Sequence, residues 1–291
     1  MKLLWQKIGP VLTVVFAIFV LWYIMAIVLN SAWTMDKLAR ASETMTITEH
    51  ITDTWSQKKP KLPAPHQVAV EIWETTAMKA ISSKRSLVFH GWITLSSTLL
   101  GFAMGTVLGI LLAAGIVHNR AMNLSVMPWV IASQTIPILA IAPMIIVVLN
   151  AVGISGLVPK AVISMYLSFF PVVVGMVKGL RAPDAMQMDQ MRTWNASKWT
   201  TFWALRWPSS VPYLFASLKI GVAAALVGAI VAELPTGAVR GLGARLLAGS
   251  YYGQTIQIWS ALLCAAALAA ALVMIIGVIE RFTLREMGMA Q

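Results

Sequence analysis

The sequence has few charges, few acidic residues and a single cysteine. Only 11% of its 291 residues are charged and 11 are acidic, whereas 58% are hydrophobic and the mean hydropathy is +0.77. This composition lies outside the range of soluble globular domains. We therefore expect an integral membrane protein.

Further absences limit the chemistry. Cys264 stands alone, the four histidines are scattered without ligand spacing, and the sequence contains no G-x-x-x-x-G-K-[ST] phosphate-binding loop. We expect no metal site, no catalytic residues and no cofactor bound by this chain. The net charge of +11 comes from basic residues dispersed between apolar runs, which favours lipid headgroups over nucleic acid as the partner.

Uncharged runs of about 20 residues predict the membrane spans, because a bilayer core about 30 Å thick needs that length of helix. The first run exceeds a signal-peptide core, so residues 1–30 are interpreted as a retained anchor helix. Residues 31–89 are polar and include KKPKLPAPH, which predicts a linker outside the membrane with one helix lying at its surface. Residues 90–285 hold the remaining spans. The predicted spans are about six, at Val11–Leu29, Gly91–Val117, Met127–Leu149, Ala161–Val177, Val211–Ala232 and within Leu246–Ile279.

Two features of the spans predict how they pack. Gly101, Gly105 and Gly109 recur every fourth residue, which favours close approach of another helix, although glycine is also common in membrane helices generally. Prolines within the third span predict kinks. Lys219 lies near one end of the fifth span, where its side chain is expected to extend to the headgroups.

Basic residues in the short segments predict the orientation. The total on each side is balanced, but after the second span the short loops and tails carry more Lys and Arg on one side. With that side cytoplasmic, as the positive-inside rule requires, both termini are cytoplasmic. The cytoplasmic residues are Arg120, Lys178, Arg181, Arg192, Lys198, Arg206, Arg281 and Arg285, against Lys160, Arg240 and Arg245 outside.

Charges and tryptophans interrupt the apolar sequence at residues 184–212, DAMQMDQMRTWNASKWTTFWALRWPSSVP. Pro183 and Asp184 suit a helix start, and Asn195-Ala196-Ser197 suits a tight turn with Ser197 capping a second helix. Methionines and tryptophans beside charges are typical of a docking surface. An interfacial loop with its tryptophans in the headgroup belt explains the same residues equally well.

The spacing of this stretch resembles the cytoplasmic EAA loop of binding-protein-dependent ABC importer permeases. Asp189-Gln190-Met191 stands where that family has Glu-Ala-Ala, Asn195 replaces its glycine, and Trp207-Pro208 replaces its Leu-Pro. Asn is the non-glycine residue that best tolerates left-handed backbone, which preserves the turn. Further segments, among them TLSSTLLGF, TIPILAIAPM, FFPVVVGMVKGL and GLGARL, resemble the nitrate, sulfonate and taurine branch; Ser97 stands where that branch usually has Arg.

This resemblance implies an all-α integral membrane protein with the type I importer, MetI-like, transmembrane fold, located in the bacterial inner membrane. It implies a permease that works as a pair, a cytoplasmic ATPase dimer that binds the ATP, and a periplasmic solute-binding protein. The expected cargo is a small polar solute such as nitrate, a sulfonate, taurine or a pyrimidine precursor. The coupling loop, residues 180–210, would contact the ATPase through Asp189, Met191, Arg192, Asn195, Ala196 and Trp199.

Polar or kinked positions within apolar spans are the candidates for the translocation path, because buried polar groups in a bilayer are expensive unless they pair or face water. These candidates are Gln134, Thr135, Pro137, Tyr166, Ser168 and, at the outer mouth, Glu233. Interhelical hydrogen bonding is the alternative role for the first five. Glu233 either contacts the binding protein or marks the membrane boundary. The alternative function, an ion-coupled carrier or channel, predicts carboxylates within the membrane and inverted repeats.

Overall fold

The structure is a computed structural model that describes residues 2–41, 45–234 and 240–289. All regular secondary structure in those ranges is helical. The helices are α1 (Lys2–Ala41), α2 (Ile47–Ser56), α3 (Pro65–Trp73), α4 (Leu87–His118), α5 (Arg120–Ser133), α6 (Ile138–Ala151), α7 (Leu157–Leu180), α8 (Ala185–Thr193), α9 (Lys198–Thr201), α10 (Trp207–Glu233), α11 (Leu242–Tyr251) and α12 (Thr255–Glu286). Single π-helical turns, Glu74–Met78 and Phe202–Arg206, follow α3 and α9.

Five helical stretches in the described ranges are long and apolar enough to cross a membrane, and a sixth results if the bent pair α5–α6 counts as one span. The prediction of an all-α membrane fold is therefore confirmed. The five stretches are Gly9–Arg40, Leu87–His118, Leu157–Leu180, Lys198–Glu233 and Thr255–Glu286.

The chain divides into two compact units. One contains the residues up to Phe89 together with Arg245–Cys264, and the other contains His90–Ala244 together with the residues from Ala265 onwards. The sequence placed residues 245–264 with the core that starts at residue 90, whereas their contacts group them with the first 89 residues.

In the first unit, helix α1 continues to Ala41 instead of ending at residue 30. The polar residues that follow the apolar run are buried against the next segment. The Asn30 side chain donates to the carbonyls of Thr54 and Leu62 and accepts from the backbone N–H of Lys61. The segment expected to be a linker therefore contains helices that pack against α1. Its backbone groups at Thr54, Lys61 and Leu62 form hydrogen bonds with the Asn30 side chain of α1.

The third predicted span is broken into two helices. Helices α5 and α6 meet at an angle of 101° across residues 134–137, a break that contains Pro137, whereas Pro128 and Pro143 lie inside α5 and α6. The structure therefore has a break where kinks were expected. Pro137 has no N–H and caps α6, while the N–H groups of Gln134 and Thr135 donate to the carbonyls of Ile131 and Ala132 in a turn.

In the second unit, small residues let α4, α7 and α10 approach closely. A Cβ added to Gly109 would lie 2.7 Å from the Cβ of Val172, and one added to Gly105 would lie 3.1 Å from the carbonyl oxygen of Met165. A core of Ala113, Val172, Val173 and other apolar residues fills the adjacent space. The predicted packing role of the repeated glycines is confirmed, because any side chain at these positions meets the neighbouring helix.

Lys219 on α10 has a charged partner on another helix. Its ammonium forms an ion pair with the carboxylate of Glu280 on α12. The sequence could not indicate this pair, because the two residues are brought together only by the packing of α10 against α12.

We predict that Gly228→Ala destabilises the protein by about 1–3 kcal/mol. An added methyl would lie 2.8 Å from the Cα of Ser164 and 3.1 Å from the carbonyl oxygen of Ile163, and backbone atoms cannot move aside cheaply. The thermal unfolding midpoint of the detergent-purified protein measures the effect.

The matched control is Gly277→Ala, where the nearest atom to the added methyl is the flexible Lys219 Cε at 3.7 Å. That change should leave the midpoint unchanged or raise it, because alanine is favoured over glycine in helices by up to about 1 kcal/mol. Equal midpoints for the two variants would contradict the close approach of α10 and α7.

Candidate functional site

The segment from Asp184 to Thr201 has the helix–turn–helix geometry that the sequence predicts. The Asp184 carboxylate accepts from the N–H of Gln187, whose side chain accepts from the N–H of Asp184, so a reciprocal cap begins α8. The Ser197 hydroxyl accepts from the N–H of Thr200 and begins α9. Both predicted helix starts are confirmed.

The turn between α8 and α9 depends on Asn195. This residue has φ of 51°, and no other non-glycine residue in the described ranges has a positive φ. The N–H of Asn195 donates to the carbonyl of Arg192, and the N–H of Ala196 donates to that of Met191. These two bonds form a Schellman motif, which ends a helix with one left-handed residue.

Helix α8 is exposed along its length, and none of its residues is buried. Asp189 and Arg192 form an exposed ion pair of 2.9 Å, Met191 and Ala196 are half-buried, and Trp199 is 71% exposed. The structure thus brings all the predicted coupling residues onto one short segment. A nine-residue helix is marginal in water when it has no packing partner.

The predicted path residues separate into two groups. Gln134, Thr135 and Pro137 are exposed at the break between α5 and α6, and the Tyr166 hydroxyl on α7 donates to the carbonyl of Ser133 beside them. The structure therefore brings these four positions together.

Ser168 does not belong to that group. It is fully buried, and its hydroxyl lies 3.2 Å from the carbonyl of Met165 and 3.5 Å from that of Gly101. In this structure Ser168 therefore lies at the crossing of α4 and α7 and has no exposed surface, and its role on the path stays a prediction.

Glu233 is also buried, with no exposed surface. Its carboxylate accepts from the N–H of Gly243 at 2.8 Å and lies 3.0–3.1 Å from the Thr94 hydroxyl. The Lys160 ammonium is 3.7 Å away. In this structure Glu233 therefore presents no surface to a binding protein. Its partners could not be predicted, because Thr94, Lys160 and Gly243 are distant from it along the chain.

Together these side chains cap the start of α11. The N–H groups of Gly241, Leu242 and Gly243 donate to His90 Nδ1, Thr94 Oγ1 and Glu233 Oε2 at 2.8–2.9 Å. The first N–H groups of a helix have no partner within the helix, and the positive end of its dipole favours a carboxylate. The end of α10 and the start of α4 thus supply the cap that α11 lacks in its own sequence.

Comparison with known proteins identifies the family. The model of the binding-protein-dependent transport system inner membrane component matches residues 105–286. The chain belongs to this family.

Its relatives are transport permeases. The formylaminopyrimidine transport permease protein ThiX of Halalkalibacterium halodurans is 34% identical over 62% of this chain and 68% of its own length. The riboflavin transport system permease protein RibX of Chloroflexus aurantiacus is 30% identical over 77% and 80%. The nitrate import permease protein NrtB of Synechocystis is 25% identical over 62% and 66%. The resemblance to ABC transporter permeases is therefore confirmed.

Family membership makes this chain the inner-membrane permease subunit of a multi-component transport system, which implies an ATPase and a binding protein as its partners. The matched residues 105–286 include both the exposed segment from Asp184 to Thr201 and the buried Glu233. In the exposed segment both helices have a side-chain cap at their start, and the first of them has no buried residue.

We predict that Thr94→Val in this permease lowers the free energy of unfolding by about 1–3 kcal/mol. The change leaves the buried N–H of Leu242 without an acceptor and removes one hydrogen-bond donor from the Glu233 carboxylate. Thr98→Val is the matched control, since the Thr98 hydroxyl is equally buried but donates only to the carbonyl of Thr94 in its own helix. Denaturant or thermal unfolding in detergent measures both.

A double variant, Thr94→Val with Glu233→Gln, tests whether the two groups act together. We expect the loss in the double variant to be smaller than the sum of the single losses, because both remove the same interaction. Strict additivity would show that Thr94 and Glu233 stabilise the fold independently.

Proposed function

We propose that this permease forms the translocation path of an ATP-binding-cassette importer for a small polar solute. Two copies pair in the membrane, with both termini cytoplasmic. A cytoplasmic ATPase dimer supplies the energy, and a periplasmic solute-binding protein delivers the cargo. The exposed segment from Asp184 to Thr201 is the coupling surface that receives the ATPase.

The observation that carries this proposal is the exposure of a fully formed short helix. Helix α8 has a reciprocal cap at its start and a Schellman motif at its end, yet none of its side chains is fully buried. Most helical stability in proteins comes from packing. A partner that packs on α8 supplies what this chain does not, and Met191, Trp199 and the Asp189–Arg192 pair give that partner apolar and charged contacts.

The orientation follows from charge. Arg181, Arg192 and Lys198 lie around the coupling surface, whereas the short segments on the opposite side carry fewer basic residues.

Residues at the break between α5 and α6, including Gln134, Thr135 and Pro137, interrupt the apolar helices and serve as the polar part of the path together with Tyr166. Alternating access then follows from rocking of the helices when the ATPases close.

The solute belongs to the same class of small polar compounds as those for which the relatives are named, a formylaminopyrimidine, riboflavin and nitrate. Sulfonates and taurine, which the sequence resemblance predicts as cargo, are also small polar compounds. The chain binds no ATP itself in this proposal, because the sequence has no phosphate-binding loop.

Reconstituted uptake tests the function. The permease is purified with its host's ATPase and binding protein, placed in proteoliposomes, and supplied with labelled candidate solutes and internal ATP. We expect uptake only when ATP and binding protein are both present. Uptake by the lone permease without ATP would instead support an ion-coupled carrier.

We predict that Asn195→Val weakens recovery of the ATPase with the permease at least tenfold, while Asn195→Gly retains it. A β-branched residue at φ of 51° costs about 1–2 kcal/mol or more, whereas glycine adopts that conformation freely. Copurification from detergent measures the complex. Membrane insertion of the valine variant, followed by its yield in the membrane fraction, should match the wild type; equal ATPase recovery for the two variants would refute the docking role of this turn.

A further inference from the structure

A cavity of about 690 Å³ in the second unit has an excess of positive charge. It lies among the first turns of α4, the end of α6, the start of α7 and Arg240. Lys160 and Arg240 both line it, and no Asp or Glu is among the described residues of its wall. On the orientation proposed above it opens on the periplasmic side.

The Lys160 ammonium is fixed between this cavity and the buried Glu233. It lies 3.7 Å from the carboxylate and donates to the carbonyl of Arg240 at 3.5 Å, and its side chain is 14% exposed. Glu233 also accepts hydrogen bonds from Gly243 and Thr94 at shorter distances. Because those donors already satisfy the carboxylate, Lys160 keeps donor capacity for a group in the cavity.

The rest of the wall combines polar and apolar groups. Asn150, Ser155 and Ser96 supply neutral hydrogen-bonding groups, whereas Trp92 and Leu157 are among the apolar residues. A bare inorganic ion would leave the apolar part of this volume unfilled. An anion with an apolar body satisfies both parts, because an oxyanion binds cationic donors and a hydrocarbon is favoured against apolar side chains.

We propose that this cavity is a binding site for a small organic anion, a sulfonate or carboxylate with a short apolar body. Lys160 and Arg240 bind its oxyanion, and Asn150 donates to the same group. The site is the entry vestibule for the imported solute, an assignment that rests on the proposed function. A lipid headgroup phosphate has the same anionic chemistry, so the experiment separates the two sources.

Thiol labelling measures the charge of the cavity directly. Cys264 is the single cysteine, so Cys264→Ala with Ser155→Cys leaves one thiol, placed at the cavity wall. Its rates of reaction with an anionic and a cationic methanethiosulfonate of similar size are compared. The ratio of the two rates removes the effect of the thiol pKa, because both reagents react with the same thiolate.

We expect Arg240→Gln to lower the ratio of anionic to cationic rates by about threefold to tenfold, since a unit charge several ångströms away acts in opposite directions on the two reagents. Lys160→Arg keeps the charge and should keep the ratio. Arg281→Gln, which removes an exposed charge on α12 that does not line this cavity, should also keep it. A ratio that Arg240→Gln leaves unchanged would overturn the proposal.

The occupant is identified by protection of the same thiol from the uncharged reagent N-ethylmaleimide. In an uncharged maltoside detergent, ethanesulfonate should slow the reaction at constant ionic strength, and Arg240→Gln should abolish that protection while Arg281→Gln retains it. Protection by added phosphatidylglycerol but not by ethanesulfonate would assign the site to lipid and overturn its role as a vestibule. Neither labelling experiment needs ATPase, binding protein or uptake, so failure of the proposed function leaves their results interpretable.

Discussion

The close approach of α4, α7 and α10 is the constraint on which the second unit depends. Lipid tails are as apolar as leucine, so burial of apolar surface does not by itself hold membrane helices together. Glycines remove the side chains that would separate the backbones, and serine hydroxyls then reach the neighbouring helix. The Ser164 hydroxyl donates to the carbonyl of Ala225 at 2.7 Å, at the same crossing where Gly228 meets the Ser164 backbone.

This packing also makes a buried carboxylate possible. Glu233 lies at the end of α10, where the negative end of the helix dipole disfavours a negative charge. The packed helices bring it to the start of α11, whose unpaired N–H groups and dipole favour one. Thr94 on α4 contributes to both, since its hydroxyl contacts the carboxylate and accepts from the N–H of Leu242. The Thr94 side chain therefore joins α4 to the end of α10 and to the start of α11.

The sequence predicted what depends on local chemistry. The apolar runs gave the membrane helices, the glycine spacing gave the close packing, and Asp184, Asn195 and Ser197 gave the caps and the left-handed turn of the coupling segment. It failed where tertiary contacts decide. Apolar composition could not separate one kinked span from two helices bent by 101°, and Asn30 looked like the end of a helix because its partners lie beyond residue 50.

The site residues divide along the same line, for a physical reason. A coupling surface must be exposed to a partner, so its shape depends on local turns and helix caps. Residues adjacent in the sequence determine those turns and caps, which makes them predictable. A translocation path or a buried hydrogen-bonded cluster forms where several helices meet. In the sequence, Tyr166, Ser168 and Glu233 all look the same, as polar residues in apolar surroundings. Only packing distinguishes a hydroxyl beside the α5–α6 break from one closed within a helix crossing. Among isolated polar residues of a membrane helix, the element that each one faces therefore decides between a transport role and a packing role.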